Sequence, residues 1–106
     1  MKTTFYVGLL DRDKKEVNFQ HVLSVVAESF RNFTYWQAIG YWQGSEESSL
    51  VIQINHIEGG QLYARSSCND AELVARKIAA LFNQTAVLVE HTLVDNRLVY
   101  NPDIGT

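Results

Sequence analysis

The sequence predicts an α+β fold in which one antiparallel sheet carries two helices on a single face. Three observations predict it. Four segments are rich in β-branched and aromatic residues, two segments between them carry apolar residues at helical spacing, and the six follow in the order β-α-β-β-α-β. That order is the split βαβ plan of the ferredoxin-like plait, which leaves its second sheet face open.

The elements are justified in turn. "TTFYVGLL" at 3–10 is a strand ending in the polar turn "DRDKK", with Phe5, Val7 and Leu9 on one face. Asn18 can cap a helix over 18–31 whose stripe is Phe19, Val22, Leu23, Val26 and Phe30. The stretch 34–43, which holds the triplet Tyr-Trp-Gln twice, is the second strand; "GSEESS" connects it to a third, "LVIQINHI", at 50–57. Gly59-Gly60 is a turn, and "QLYARS" at 61–66 is a short extra strand or an extended connection. Asn69 and Glu72 form a capping box that opens a second helix. Its stripe is Ala71, Val74, Ala75, Ile78, Leu81 and Phe82, and Asn83 ends it in a left-handed conformation. "TAVLVEHTLV" at 85–94 is the fourth strand, Asp95-Asn96 turns the chain, and "RLVY" at 97–100 pairs back as a short terminal strand. Residues 1–100 are expected to make one domain, followed by a flexible tail at 101–106.

Composition narrows the function classes. With 106 residues and 46% hydrophobic content the chain can bury one continuous core. No apolar run nears the roughly 18 residues of a membrane span, and no charged leader precedes an apolar stretch, so a soluble cytoplasmic protein is expected. Cys68 is the single cysteine, which excludes an internal disulfide and a cysteine-based zinc site. The net charge is −3 and the nine Lys and Arg are scattered, a poor basis for binding a phosphate backbone. The glycine-aromatic signature of an RNA-binding sheet is also missing.

Alternation along the strands assigns the faces. Leu50, Ile52 and Ile54 point under the helices, leaving Gln53 and Asn55 on the open side. In the second strand the apolar set Trp36, Ala38, Gly40 and Trp42 is assigned to the core, provided that Gly40 introduces no bulge. In the fourth strand the set with Glu90 and Thr92 goes to the open side. An uncharged plateau of Tyr6, Tyr35, Gln37, Ile39, Tyr41, Gln53 and Asn55 then covers the open face, a surface suited to pairing in a homodimer or to a protein target. The acidic residues Asp11, Asp13, Glu46 and Glu47 could imitate phosphate and steer approach to a basic groove.

Catalytic motifs are missing: there is no P-loop, GxGxxG, GxSxG or HExxH, and no Cys-His spacing of a known kind. Asp11, Asp13 and Glu16 lack the glycine turn and distal glutamate of a calcium loop, so no metal and no cofactor are expected. His21, His56 and His91 lie on three different elements and could meet only by folding. Cys68, placed just before a helix N-terminus, could have a lowered thiol pKa, but no base is near it in sequence.

Three stretches, "YVGLLDRD" at 6–13, "AIGYW" at 38–42 and "LFNQTAVLVE" at 81–90, give the chain a resemblance to a group of small uncharacterised proteins of phages and mobile elements. What that resemblance implies is a compact protein that works by occupying a surface on a host or rival protein, such as an anti-CRISPR inhibitor of host defence. The function expected is therefore a non-enzymatic binding protein with no catalytic residues. The alternative is a small-molecule enzyme or ligand-sequestering protein of the dimeric α+β barrel type, in which His91, Glu90 and Tyr6 are the first candidates for proton transfer.

Overall fold

A computed structural model describes residues 1–56, 61–93 and 101–104. Among these, β1 (Lys2–Gly8), α1 (Phe19–Ala27), β2 (Phe33–Trp42), β3 (Ser45–Asn55), α2 (Gln61–Leu81) and β4 (Leu88–Thr92) follow in the expected order, with a single 3-10 turn at Pro102–Ile104. The strands form one four-stranded antiparallel sheet in the order β2-β3-β1-β4, the ferredoxin-like arrangement. No helix among the described residues is long and apolar enough to cross a membrane.

The core follows from strand parity. β1 is central, and its register sets Phe5 opposite Ile52 and Val89, and Val7 opposite Leu50. These side chains meet Val22, Leu23 and Val26 of α1 and Ala71, Val74, Ala75 and Ile78 of α2 in one buried cluster. Asn18 caps α1 as its sequence implies, its side chain accepting from the amide of Gln20 at 3.0 Å. Asn83, with φ at +52°, closes the end of α2 as expected.

Four expectations are corrected. First, α2 begins at Gln61, so "QLYARS" is helical and Asn69 and Glu72 lie inside the helix rather than at its cap. Good helix formers such as Gln61, Leu62, Ala64 and Arg65, with no proline among them, carry the helix upstream of the capping signature. Cys68 therefore sits within a helix and not at an N-terminus. Second, "SEESS" belongs to β3: the turn is the two-residue Gln43-Gly44, with φ of +50° and +81°, a geometry suited to the twist of a tight hairpin.

Third, that turn reverses the expected phase of β2. Pairing Trp42 with Ser45 puts Tyr35 opposite Ile52 and Gln37 opposite Leu50, so Tyr35, Gln37, Ile39 and Tyr41 share the helix face and Trp36 takes the open face. Tyr35 packs against Phe19 of α1 with ring centroids 6.4 Å apart. Fourth, Leu81 is exposed and leaves the stripe of α2. Gly59-Gly60, Asp95-Asn96 and "RLVY" fall outside the described residues.

β1 pairs with β3 only as far as Ser49, so the distal part of β2 and β3 runs on as a two-stranded arm. Ile39 and Tyr41 on it are 69% and 76% exposed, which separates them energetically from the core. Replacing Ile52 by Ala should cost about 3 kcal/mol in urea unfolding, as for a large-to-small change in a closed core. Ile39→Ala should stay within about 0.5 kcal/mol of the parent.

Candidate functional site

Chemistry-bearing residues gather where β1, β4, the end of β3 and α2 meet. Thr3 of β1 faces the helices and is completely buried. Its register opposite His91 places that imidazole beside it, and His56, just past the end of β3, arrives from the other side. The hydroxyl Oγ1 lies 2.9 Å from His56 Nε2 and 2.8 Å from His91 Nδ1, while His91 Nε2 lies 3.1 Å from Glu72 Oε1 of α2. Cys68 Sγ is 3.9 Å from the same hydroxyl.

Donor counting gives these contacts a direction. Glu72 is half exposed and its ionised carboxylate only accepts, so Nε2 of His91 carries a hydrogen and donates. Neutral His91 then has a bare Nδ1 that accepts from the Thr3 hydroxyl, whose oxygen in turn accepts from Nε2 of His56. The order is thus His56 to Thr3 to His91 to Glu72. Burial first, then the N-terminal ammonium and His91, hold the His56 pKa below the ordinary histidine value. His56 is further fixed by an edge contact to the Phe30 ring.

The outer member, Glu72, also lines a groove of about 330 Å³ between α2 and the edge strand β4. Ala75, Ala79, Ala86, Val87 and Val89 make its apolar lining, and Arg76 stands one helical turn beyond Glu72. Such a volume is at the small end of ligand sites, and its few charged groups would orient whatever enters.

The sequence-predicted residues divide between sites. His56 and His91 converge on Thr3, while His21 is exposed on α1 and takes no part. His91 is on the helix face, whereas Glu90 and Tyr6, the other proton-transfer candidates, face the open side. Tyr6, Gln53 and Asn55 stand on the open face as expected, now with Trp36, Val51 and Leu88 in place of Tyr35, Gln37, Ile39 and Tyr41. Asp11 and Asp13 are engaged within their own loop. Asp11 Oδ1 accepts from the amides of Asp13 and Lys15, and Asn83 donates to Asp13. The Lys15 amide above all keeps the Asp11 carboxyl below its ordinary pKa. Glu46 and Glu47 are exposed on opposite faces of the arm. Thr3 and Arg76 were not singled out by the sequence, and Glu72 was singled out only as part of a capping box. Among the described residues no group of three or more His, Cys, Asp and Glu is arranged to hold a metal.

No family model matches the chain, and no curated protein matches it in sequence. Two solved structures share its fold. A phage SAM lyase in complex with S-methyl-5'-thioadenosine superposes with a TM-score of 0.57 at 20% identity, covering 83% of this chain and 76% of that one. The apo state of a phage SAM lyase gives 0.58 at 20% identity, with 83% and 75% covered. Both neighbours are phage proteins, in keeping with the resemblance drawn from sequence. Both are named as an enzyme, and this finding corrects the expectation of a non-enzymatic binding protein.

Independently of that likeness, the hydrogen-bond chain sets a stability test. Between its lowered folded value and about pH 6.5, His56 holds fewer protons in the folded state than in the unfolded one. Its contribution is therefore complete above about pH 6.5 and declines as the pH falls below that. Thr3→Val should cost about 1–3 kcal/mol in urea unfolding at pH 7.5 by stranding the buried His56 ring nitrogen, while Thr3→Ser should recover most of the loss.

Proposed function

We propose that the protein is a small-molecule enzyme that acts on S-adenosylmethionine and releases S-methyl-5'-thioadenosine. The observation that carries this reading is the fold likeness to phage SAM lyase over 83% of the chain. The chemistry such a reaction needs agrees with what the chain offers. The sulfonium is its own leaving group: when the bond from sulfur to the four-carbon amino-acid moiety breaks, the electron pair stays on sulfur as a neutral thioether. The amino-acid moiety is left either to close on its own carboxylate as a lactone or to lose a neighbouring proton as an alkene.

The first route asks less of the protein. Ring closure by the substrate's carboxylate neutralises the sulfonium with no net proton transfer, so no activated nucleophile or strong base is required of the protein. Thr3, the hydroxyl held between His56 and His91, is completely buried and already hydrogen-bonded on both sides, so it is poorly placed to attack a ligand. The protein's task is then to hold the substrate in a curled conformation, since orientation alone can supply several kcal/mol of a barrier. An acidic chain, at −3, also favours a cationic sulfonium.

Incubating the purified protein with S-adenosylmethionine should convert it to S-methyl-5'-thioadenosine, followed by chromatography with mass detection. S-adenosylhomocysteine, which lacks the sulfonium, should remain intact. No thioadenosine product above the uncatalysed background at any pH between 6 and 9 would defeat the reading.

A further inference from the structure

Glu72 and Arg76 are four residues apart on α2, the spacing at which opposite charges ordinarily pair along a helix. They do not pair here. Glu72 is held instead by His91 Nε2 at 3.1 Å, and Arg76 makes no ion pair among the described residues. Both nevertheless line the same groove, with Ala75, Ala79 and Val89 between α2 and β4. The groove thus offers an anion and a cation roughly 6 Å apart along the helix axis, over an apolar bed made largely of small side chains.

We propose that this groove binds the zwitterionic head of an α-amino acid, Glu72 taking the ammonium and Arg76 the carboxylate. The proposal deepens the S-adenosylmethionine reading and rests on it for the choice of ligand, whose methionine moiety carries such a head. Each partner suits its role. The Glu72 carboxylate has about four acceptor positions and spends one on His91, so it retains capacity for an ammonium with three donors. The guanidinium of Arg76 can hold one carboxylate oxygen by a charge-assisted hydrogen bond and leave the other free to attack. Ala75 and Ala79, one turn apart on the same helix face, leave room for an unbranched thioether side chain beside Val89. His91 is here a positioning residue: its bond to Glu72 draws that carboxylate away from Arg76 and leaves the guanidinium open.

The test is a titration of the ¹⁵N-labelled protein with L-methionine at pH 7.5, followed by NMR amide shifts. Saturable shifts are expected at Ala75, Arg76, Ala79 and Val89. Glu72→Gln and Arg76→Gln should each weaken binding roughly tenfold or more, the scale of one charge-assisted contact. N-acetyl-L-methionine should be insensitive to Glu72→Gln, and L-methioninamide insensitive to Arg76→Gln, which separates loss of recognition from any disturbance of folding. Shifts elsewhere, no shifts, or an affinity in both variants equal to the parent's would overturn the proposal. Methionine binding at this groove without S-adenosylmethionine cleavage would remove the lyase reading and keep the head-group site. Cleavage with unchanged methionine binding in both variants would do the reverse.

Discussion

The structure depends on the register in which β1 lies between β3 and β4. Seven residues of β1 face β3 and five face β4, and every odd-numbered one of them from Thr3 to Val7 is driven to the helix side by the burial of Phe5 and Val7. A slip of one residue would turn Phe5 to the open face and bring Tyr6 inward, an exchange that no local adjustment could absorb. Because that register is held by the core, the polar residue two places before Phe5 has no choice of position. Thr3 is buried with it, and a buried hydroxyl requires partners. His56 and His91 supply them from the two neighbouring strands. The polar cluster is therefore a consequence of the hydrophobic one.

Magnitudes explain why the cluster could reach outward to shape the groove. An exposed ion pair between Glu72 and Arg76 would be worth only a few tenths of a kcal/mol. A hydrogen bond from His91, whose ring is already fixed by Thr3, meets that competition with little further loss of freedom, because the imidazole has been ordered by the core. The carboxylate follows the imidazole, and the arginine is left to the groove. Dislodging neither His91 nor Thr3, a ligand bearing both charges replaces only water at Glu72 and Arg76, which on the proposed reading is why the fold can recognise a zwitterion without rearrangement.

Where the sequence spoke through the core it was legible. The stripes Val22, Leu23, Val26 and Ala71, Val74, Ala75, Ile78, and the alternation of Leu50, Ile52 and Ile54, are repeated burial signals, and each led to its observed face. The second strand misled because it is an edge strand whose two faces are both largely exposed, so apolarity was no guide. Trp36, 42% exposed on the open side, and Tyr35, 46% exposed on the helix side, differ hardly at all in burial. Its phase was nonetheless present in the dipeptide Gln43-Gly44: a two-residue turn fixes Trp42 opposite Ser45, and counting back from there puts Tyr35 opposite Ile52. The capping signature at Asn69 misled for a related reason, since an asparagine followed three residues later by a glutamate is also compatible with the interior of a longer helix. Thr3 carried no local signal, and that of Glu72 pointed to a helix cap rather than to His91. Their meeting depends on pairs separated by 19 to 88 positions, which a motif search does not cross.

The repeated Tyr-Trp-Gln stretch and the groove are thus separate parts of the molecule, one along the β2 edge and one beside β4 at the other edge of the sheet. Sheet order makes the separation necessary. With β1 and β3 between them, no single ligand of nucleoside size can touch both arrays within one chain, because the two intervening strands alone span about 10 Å and the edge-to-edge distance is about 14 Å. If the amino-acid head lies against α2, the remainder of the ligand must run along the groove, past Ala79 and Val87, where the lining is apolar and offers nothing that a hydroxyl-rich ribose would prefer to water. On the proposed reading, the groove of one chain takes the end of the substrate that changes during the reaction and leaves the nucleoside end to groups outside it. The division matches the chemistry: ring closure takes place entirely within the four-carbon moiety and its sulfur. Fixing the ammonium and carboxylate determines whether the carboxylate can reach the carbon from which the thioether departs.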